Sequence, residues 1–358
     1  MSSPQRLSRR TLTLSVGLAV VTVLTCLVAF LPVPFVTMRP GPVFNTLGEL
    51  DGTPMLTFGK DVRTYPTDGR LDFTTVSVTR AESRMSLAGA IEGWLDPDVA
   101  VVPHDFLYPD RQTDEQSKAA GAAELASSQD ASRAAALRAA GREVAEVPKV
   151  AGVVEDGPAQ GKLEVDDVLL TVDGRKVATQ EAVGQAIGAR KPGDDVTIGY
   201  RRDGRDETVT ITTTAMDDDP DKARIGIAVG STFQFPIDIQ NHIGDRVGGP
   251  SAGTMFALAI YDALTPGALT GGQRIAGTGT LDSEGDVGPI GGIAQKMQGA
   301  KDSGAGYFLA PKENCGEVVG HVPNGLVVTP VDSFDQALGA VESIAAGRAS
   351  TLPACPVG

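Results

Sequence analysis

A long, uncharged and mainly apolar run lies near the N-terminus. It covers residues 11–31, 21 positions of which eleven are leucine or valine. A helix of about 20 apolar residues crosses the hydrocarbon core of a bilayer. Arginines precede the run, and residues 30–34 lack the small-residue pattern of a signal-peptide cleavage site. The pattern predicts a single-pass anchor in the cell membrane, with a cytoplasmic tail at 1–10 and the rest of the chain extracytoplasmic.

Residues 32–140 combine one strand pattern with several helical patterns. Residues 73–79 alternate between apolar and polar positions, as a half-buried strand does. Helical patterns cover 86–95, 115–126 and 129–140, and the last two are rich in alanine. We expect an extracytoplasmic segment of a strand and helices. One interpretation is that the strand completes the sheet of the module that follows, with the helices as an insertion.

Residues 141–215 have the pattern of a small, mainly-β module with one helix. Apolar stretches at 150–154 and 166–174 precede a helix-like stretch at 179–189 and strands at 195–202 and 207–212. Asp203-Gly204, between the last two strands, is typical of a hairpin turn. We expect the strand at 207–212 to close the module.

Residues 224–345 contain a short strand pattern and two helical patterns, and a tail follows at 346–358. The strand is expected at 235–239, and a mostly apolar helix follows at 252–264. The second helix, 293–301, begins after a pair of glycines. Lys296 falls on the apolar face of this helix, so we expect its amine to be buried.

Ser251 and Lys296, which are 45 positions apart, are the candidate catalytic residues. Ser251 is expected in the first turn of the 252–264 helix, where unpaired backbone N–H groups and the helix dipole stabilise an oxyanion. A serine hydroxyl needs a base to become nucleophilic, and burial lowers the pKa of a lysine toward the value that a base requires. Each residue alone also has a common structural interpretation, a helix-capping serine and a lysine that extends its amine to water.

The motifs around these two residues resemble the proteolytic domain of Lon proteases. They are Gly-Gly-Pro-Ser-Ala-Gly at 248–253, Leu-Thr-Pro-Gly at 264–267, Ile-Ala-Gly-Thr-Gly-Thr at 275–280, Gly-Pro-Ile-Gly-Gly at 288–292 and Phe-Leu-Ala-Pro at 308–311. The resemblance implies an α/β (α+β) proteolytic domain in which Ser251 is the nucleophile, Lys296 the general base, and Thr278 a supporting hydroxyl that orients the lysine. A turn-forming hydroxyl is the alternative for Thr278. Gly248 departs from the family, which commonly has an acidic residue there.

The module at 141–215 resembles a bacterial PDZ domain. The resemblance rests on Gly-Pro-Ala at 157–159, Asp-Asp-Val-Leu-Leu at 166–170 and Val-Asp-Gly at 172–174. PDZ domains add an extended peptide, often a free C-terminus, to a sheet edge. We expect the loop that holds the carboxylate before Val150, where no Gly-Leu-Gly-Phe type sequence occurs. A spacer role without peptide binding is the alternative.

Two other enzyme classes fit parts of the same sequence. Gly249–Gly253 also satisfies the nucleophile elbow of α/β-hydrolases, with His321 as base and Asp282, Asp286 or Asp302 as acid. Only 107 residues follow Ser251, which is short for that fold. The glycine-rich runs lack the Lys-Ser/Thr of a phosphate-binding loop, so we expect cleavage without ATP.

The cysteines, the net charge and the histidines bear on the compartment, the partners and the cofactors of the protein. Cys26 lies in the predicted anchor, and Cys315 and Cys355 form an even pair that is compatible with one disulfide in an oxidising compartment, although spacing alone leaves two free thiols possible. The formal net charge of −14 argues against nucleic acid and anionic membrane surfaces as partners. The three histidines are not at metal-ligand spacing, so we expect neither a metal nor another cofactor.

The sequence predicts a membrane-anchored, ATP-independent serine endopeptidase that cleaves exported or membrane proteins, and the PDZ resemblance implies that it binds polypeptides by their C-termini. The family resemblance also suggests a homo-oligomer, such as a hexamer. The alternative from another class is an anchored scaffold without catalysis, in which the PDZ domain recruits partners.

Overall fold

The computed structural model describes residues 9–108, 113–216 and 219–356. Most of the predicted cytoplasmic tail at 1–10 and the last two residues of the C-terminal tail lie outside these ranges. The chain divides into two compact units, one formed by Met1–Ala140 with Ile239–Gly358 and the other by Gly141–Asp238. The second unit is therefore an insertion into the first. Residues 32–140, which the sequence suggested as a separate segment, share a unit with the region of Ser251 and Lys296.

The part of the first unit before the insertion holds four helices and eight strands within its described residues. The helices are α1 (Arg9–Ala29), α2 (Leu87–Leu95), α3 (His104–Leu107) and α4 (Asp114–Ala139). The strands are β1 (Pro32–Val33), β2 (Phe35–Asn45), β3 (Glu49–Leu50), β4 (Thr53–Pro54), β5 (Leu56–Phe58), β6 (Arg70–Val78), β7 (Met85–Ser86) and β8 (Ala100–Pro103).

The inserted unit is mainly β. Its elements are β9 (Ala145–Val153), β10 (Val168–Val172), β11 (Arg175–Lys176), α5 (Gln180–Gly188), β12 (Asp195–Arg202), β13 (Arg205–Thr212), β14 (Thr214–Ala215), β15 (Ala223–Arg224) and β16 (Ile227–Gln234). The main sheet has the order β13-β12-β10-β9-β16. Val183 and Ile187 of α5 pack with Val150, Leu169 and Ile198 in one buried cluster.

The rest of the first unit follows the insertion. It contains β17 (Ile239–Asn241), α6 (Gly253–Leu264), β18 (Arg274–Gly277), β19 (Thr280–Leu281), β20 (Val287–Gly288), α7 (Ile293–Asp302), β21 (Tyr307–Pro311), α8 (Cys315–Val318), β22 (Val327–Val331) and α9 (Phe334–Ala345). Short 3₁₀ turns lie at Gly244–Arg246, Lys312–Asn314 and Ala349–Thr351.

The main sheet of the first unit joins strands from both sides of the insertion. Its order is β22-β21-β18-β6-β2-β8, with β22, β21, β18 and β6 parallel and the last two pairings antiparallel. Neighbouring residues of β18 point to opposite faces. Ala276 packs in a cluster with α7, whereas the Cα of Gly277 faces Met255 of α6. The sheet thus lies between α6 and α7, and β18 ends directly before Thr278.

The structure corrects the interpretation of the strand at 73–79. It is β6 (Arg70–Val78), which pairs with β2 and β18 and not with the PDZ sheet. The reason is long-range pairing: the partner β18 lies about two hundred positions later, and the alternation pattern does not indicate which sheet a strand joins. The sheet of the inserted unit is completed by β16, which pairs with β9 from Ile227 to Gln234. The strand at 207–212 therefore does not close this module.

Two further boundaries differ from the pattern. The alanine-rich stretches at 115–126 and 129–140 form one continuous helix, α4, because the two residues between them are serines and neither is a helix-breaking glycine or proline. The strand expected at 235–239 begins only at Ile239, and Pro236, which has no N–H for a strand ladder, lies in the irregular segment before it. The disulfide Cys315–Cys355 ties the C-terminal tail to α8.

Helix α1 has the length and composition of a membrane span. Its segment Arg10–Ala29 has a mean hydropathy of 2.4 in its most apolar window, and that window is not buried in the protein. One apolar helix near the N-terminus therefore could cross a membrane.

Candidate active site

The segment before α6 forms a tight turn that presents Ser251. Gly249 has φ +86°, a conformation that side chains rarely adopt, and α6 begins at Gly253. Ser251 therefore lies two residues before the helix, not inside its first turn as the sequence suggested. The backbone N–H groups of Ser251 and Ala252 have no acceptor among the described residues. These two groups are available to a developing oxyanion.

Helix α4 supports this turn through two serine side chains. Ser128 donates its hydroxyl to the Pro250 carbonyl at 2.8 Å, and Ser132 donates to the Gly253 carbonyl at 2.8 Å. Both serines are almost fully buried. Gly253 permits this close approach, since a Cβ there would lie 2.7 Å from the Ser128 hydroxyl oxygen. The turn is thus held on both sides of Ser251 by a helix distant in sequence.

The sequence did not indicate these two serines as part of the site. A signal was nevertheless present, because Gly121, Leu125, Ser128 and Ser132 recur at the spacing of one helix face. Gly121 also belongs to the contact, since its carbonyl accepts the Gly249 N–H at 2.8 Å. In an alanine-rich helix this stripe does not differ from an ordinary packing face.

Lys296 lies in the first turn of α7, with only 2% of the residue exposed. Burial removes water from its amine and lowers the pKa from 10.5 to about 7. The amine is thus neutral in a large fraction of molecules near neutral pH, as a general base must be.

Thr278 connects Lys296 to the turn of Ser251. The Lys296 amine donates to the Thr278 hydroxyl at 3.0 Å, and this hydroxyl donates to the Ser251 carbonyl at 2.9 Å. The N–H of Gly279 donates to the same carbonyl at 2.8 Å. The Ser251 hydroxyl itself makes no hydrogen bond to any residue that the structure describes, the Lys296 amine included. The three predicted residues are therefore joined through Thr278 and the Ser251 main chain.

The residues of the alternative hydrolase triad are engaged elsewhere. The His321 Nδ1 lies 3.0 Å from the Glu317 carbonyl oxygen, and His321 is exposed. Asp282 accepts the N–H groups of Glu284 and Asp286, as expected of a turn. No carboxylate within the described ranges orients His321 as a triad acid orients its base, so the geometry does not favour this alternative.

A cavity of about 1010 Å³ reaches Gly248, three residues before Ser251, and neither Ser251 nor Lys296 lines it. Its walls come from the first half of α4, from the end of β6 and the residues after it, and from residues 241–248. Lys118, Asp114, Arg80 and Arg246 give the wall charges of both signs, and Leu125 and Ile243 give it apolar surface. The cavity has the size of a site for several residues of an extended polypeptide.

No group of histidine, cysteine and acidic side chains within the described ranges is arranged to hold a metal ion.

The buried amine makes a prediction about stability. The folded pKa of Lys296 lies near 7 and the unfolded value near 10.5, so the unfolded chain binds more protons between these values, and stability is lost as the pH falls from 10.5 toward 7. Lys296→Met, which keeps the length of the side chain, should raise the free energy of unfolding by about 2–4 kcal/mol at pH 7 and by little near pH 11. Denaturant unfolding at several pH values measures this difference. A pH-independent effect would show that the amine is not desolvated.

Two protein-family models match different parts of the chain, and their limits differ from those of the two structural units. Residues 232–342 match the model of the Lon protease (S16) C-terminal proteolytic domain, and residues 126–213 match that of the PDZ domain. The chain is 33% identical over 132 residues to the Lon protease of Nitratidesulfovibrio vulgaris, which covers 34% of this chain and 16% of that protein. It is 36% identical over 121 residues to Lon protease 2 of Herpetosiphon aurantiacus, covering 32% and 14%.

Among solved structures, the PDZ domain of an SdrC-like protein from Listeria monocytogenes is 29% identical, with 23% of this chain and 86% of that chain covered and a TM-score of 0.22. The chain spans only 14–16% of the length of the two Lon proteases. The predicted pairing of modules is confirmed: the chain carries a PDZ domain and a Lon-type proteolytic domain.

Proposed function

We propose that this protein is a membrane-anchored serine endopeptidase in which Ser251 is the nucleophile and Lys296 the general base. The observation that carries the proposal is the buried Lys296 amine, whose pKa is lowered to about 7, at the end of a hydrogen-bond path to the Ser251 main chain. The match of this region to a Lon-type proteolytic domain supports it.

Lys296 first accepts a proton from Ser251 and later donates a proton to the leaving amine. Neutral Lys296 takes the proton of the Ser251 hydroxyl, whose oxygen attacks the carbonyl carbon of the scissile peptide bond. The N–H groups of Ser251 and Ala252 donate to the oxyanion of the tetrahedral intermediate. The protonated lysine then gives its proton to the leaving amine, and a water activated by the same lysine hydrolyses the acyl-enzyme. Proton transfer requires the Ser251 hydroxyl to come within hydrogen-bond distance of the amine, a change that substrate binding is expected to favour.

The setting of the reaction is proposed from the sequence and from α1. Helix α1 anchors the chain, and the proteolytic and PDZ domains lie outside the cytoplasm, where exported and membrane proteins are the substrates. The sequence contains no nucleotide-binding loop, so cleavage proceeds without ATP and suits unfolded segments. The disulfide fits an oxidising compartment. A homo-oligomer remains a prediction from the family.

Activity measurements on the purified full chain test the Ser–Lys pair. Ser251→Ala and Lys296→Met should each lower kcat/KM for casein or an unfolded peptide on the order of a thousandfold or more, because each removes one half of a unit that acts together. His321→Ala is the matched control and should cleave normally. Loss of activity in His321→Ala with retention in Lys296→Met would instead favour the hydrolase triad, and no cleavage by the wild type would favour a scaffold.

The pH dependence follows from the same amine. Because Lys296 must be neutral to accept a proton, kcat/KM should rise as the pH passes through about 7 and then level off. Thr278→Val removes an acceptor that stabilises the ammonium form, so the midpoint should move to lower pH while the plateau falls by up to about 100-fold through loss of lysine orientation. Thr278→Ser keeps the hydroxyl and should retain most of the activity. A Thr278→Val enzyme with an unchanged profile would restrict Thr278 to a turn-forming role.

We also propose that the PDZ domain binds the C-termini of polypeptides along β16. This strand is the terminal strand of the described sheet order, and α5 lies next to it. Gln180, the first residue of α5, contacts Ser231 of β16 at 3.4 Å, while Ile225, just before the strand, packs with the buried face of α5. A groove between strand and helix therefore ends at residues 223–226. The loop for the carboxylate is expected there, and not before Val150.

Peptide binding to the full-length Ser251→Ala protein tests this groove. A fluorescent peptide pool randomised at its last three positions should bind with a free carboxylate and at least about tenfold more weakly as the amide, since backbone N–H groups hold the charge. Gln180→Ala should weaken binding, whereas Gln185→Ala, on another face of α5, should not. Equal binding of the two pools would overturn recognition of the C-terminal carboxylate, and binding of neither pool would leave the domain as a spacer.

A further inference from the structure

Helix α2 carries its large apolar side chains on its outer face. Ile91, Trp94 and Leu95 are 46%, 55% and 80% exposed, whereas the buried residues of the helix are the small Ala90 and Gly93. Gly93 allows the helix to lie close to the sheet, because a Cβ there would be 2.7 Å from a methyl group of Val101. A surface helix of a globular protein normally has the opposite arrangement.

This helix is fixed at the point where the chain leaves α1. The N–H of Leu87, its first residue, donates to the Leu31 carbonyl at 2.9 Å. Immediately before it, Met85 and Ser86 of β7 pair with Val33 and Pro32 of β1. The outward apolar face of α2 is thus connected by backbone hydrogen bonds to the first residues after the predicted span.

Helix α3 repeats the arrangement. The N–H of its first residue, His104, donates to the Pro34 carbonyl at 3.0 Å, and Phe106 is 73% exposed. The Trp94 ring packs edge-on against Phe35, with 5.6 Å between centroids, one residue beyond Pro34. We call Ile91, Trp94, Leu95 and Phe106 the collar. All four side chains belong to helices that begin beside residues 31–34.

We propose that the collar inserts into the interfacial layer of the outer leaflet and fixes the proteolytic domain against the membrane. The inference rests on the proposed anchoring by α1. Tryptophan and phenylalanine are the side chains that favour the membrane–water interface. An apolar face hydrogen-bonded to the end of a span lies at the depth where the hydrocarbon core gives way to headgroups.

The charges around the collar select the kind of lipid. The sequence from residue 80 to residue 106, which contains the collar, has five acidic residues and two arginines: Glu82, Glu92, Asp96, Asp98 and Asp105, against Arg80 and Arg84. This balance repels anionic headgroups, so the partner is a zwitterionic surface entered by apolar side chains. Binding of the collar should therefore depend little on salt.

Trp94 is the only tryptophan of the chain, so its fluorescence reports on the collar alone. The full chain is reconstituted into phosphatidylcholine vesicles, and flotation with the vesicles first tests the anchor. Phosphatidylcholine brominated in the upper part of its acyl chains should then quench Trp94 by roughly half or more. Leu95→Glu should reduce the quenching while flotation persists. Added anionic lipid should not increase it.

A matched control moves the reporter. Val327 lies in β22, at the opposite edge of the sheet from β8, and is 46% exposed. Through the pairings of β22, β21 and β18 it is level with Leu71, near the start of β6. Phe35 lies at the other end of the strands, beyond the pairing of Met38 with Val78. The double variant Trp94→Phe, Val327→Trp should therefore float but remain unquenched.

Floating protein with unquenched Trp94 would overturn the collar and leave the anchor intact. A blue-shifted Trp94 that bromine does not quench would assign the face to a second copy of the chain and would also overturn the lipid assignment. Failure to float would overturn the anchor and the collar together.

Discussion

The desolvated amine of Lys296 is the interaction on which the proposed chemistry depends. An ammonium group in the same position would be a buried charge with one neutral partner, Thr278, which is why burial lowers its pKa. Burial of this group lowers the free energy of unfolding, and it provides a base that is available near neutral pH. Such trade-offs between stability and function are typical of active sites.

The fold supplies the rigid setting that this pair requires. Thr278 follows the end of β18 in the middle of the main sheet, and the turn of Ser251 is fastened by Ser128 and Ser132 of α4. The chain enters the inserted PDZ domain directly after α4 and returns to the first unit at β17, about ten residues before Ser251. The segments that flank the insertion are therefore the same ones that hold and lead into the turn of Ser251.

The two helices of the candidate site were predictable from the sequence, but the long-range contacts that support them were not. The helix that follows Ser251, the helix that carries Lys296, and the apolar stripe that buries the lysine follow from periodicity within about ten residues. The pairing of β6 with β18, and of β9 with β16, joins segments far apart in the chain, and period-two alternation gives no information on partners. Ser128 and Ser132 were missed for a similar reason, since a serine in an alanine-rich helix shows its role only when the carbonyl opposite it is known. The role proposed for the exposed face of α2 depends on the hydrogen bond from the Leu87 N–H to the Leu31 carbonyl, which the sequence does not show.

The most direct measurement is the titration of the Lys296 side chain itself. Lysine labelled with ¹³C at Cε, incorporated into the full chain in detergent micelles and assigned with Lys296→Met, gives a resonance that follows the protonation of this amine. The account predicts a pKa of about 7. A Lys296 resonance that titrates near 10.5, the ordinary value of a solvated lysine, would contradict it.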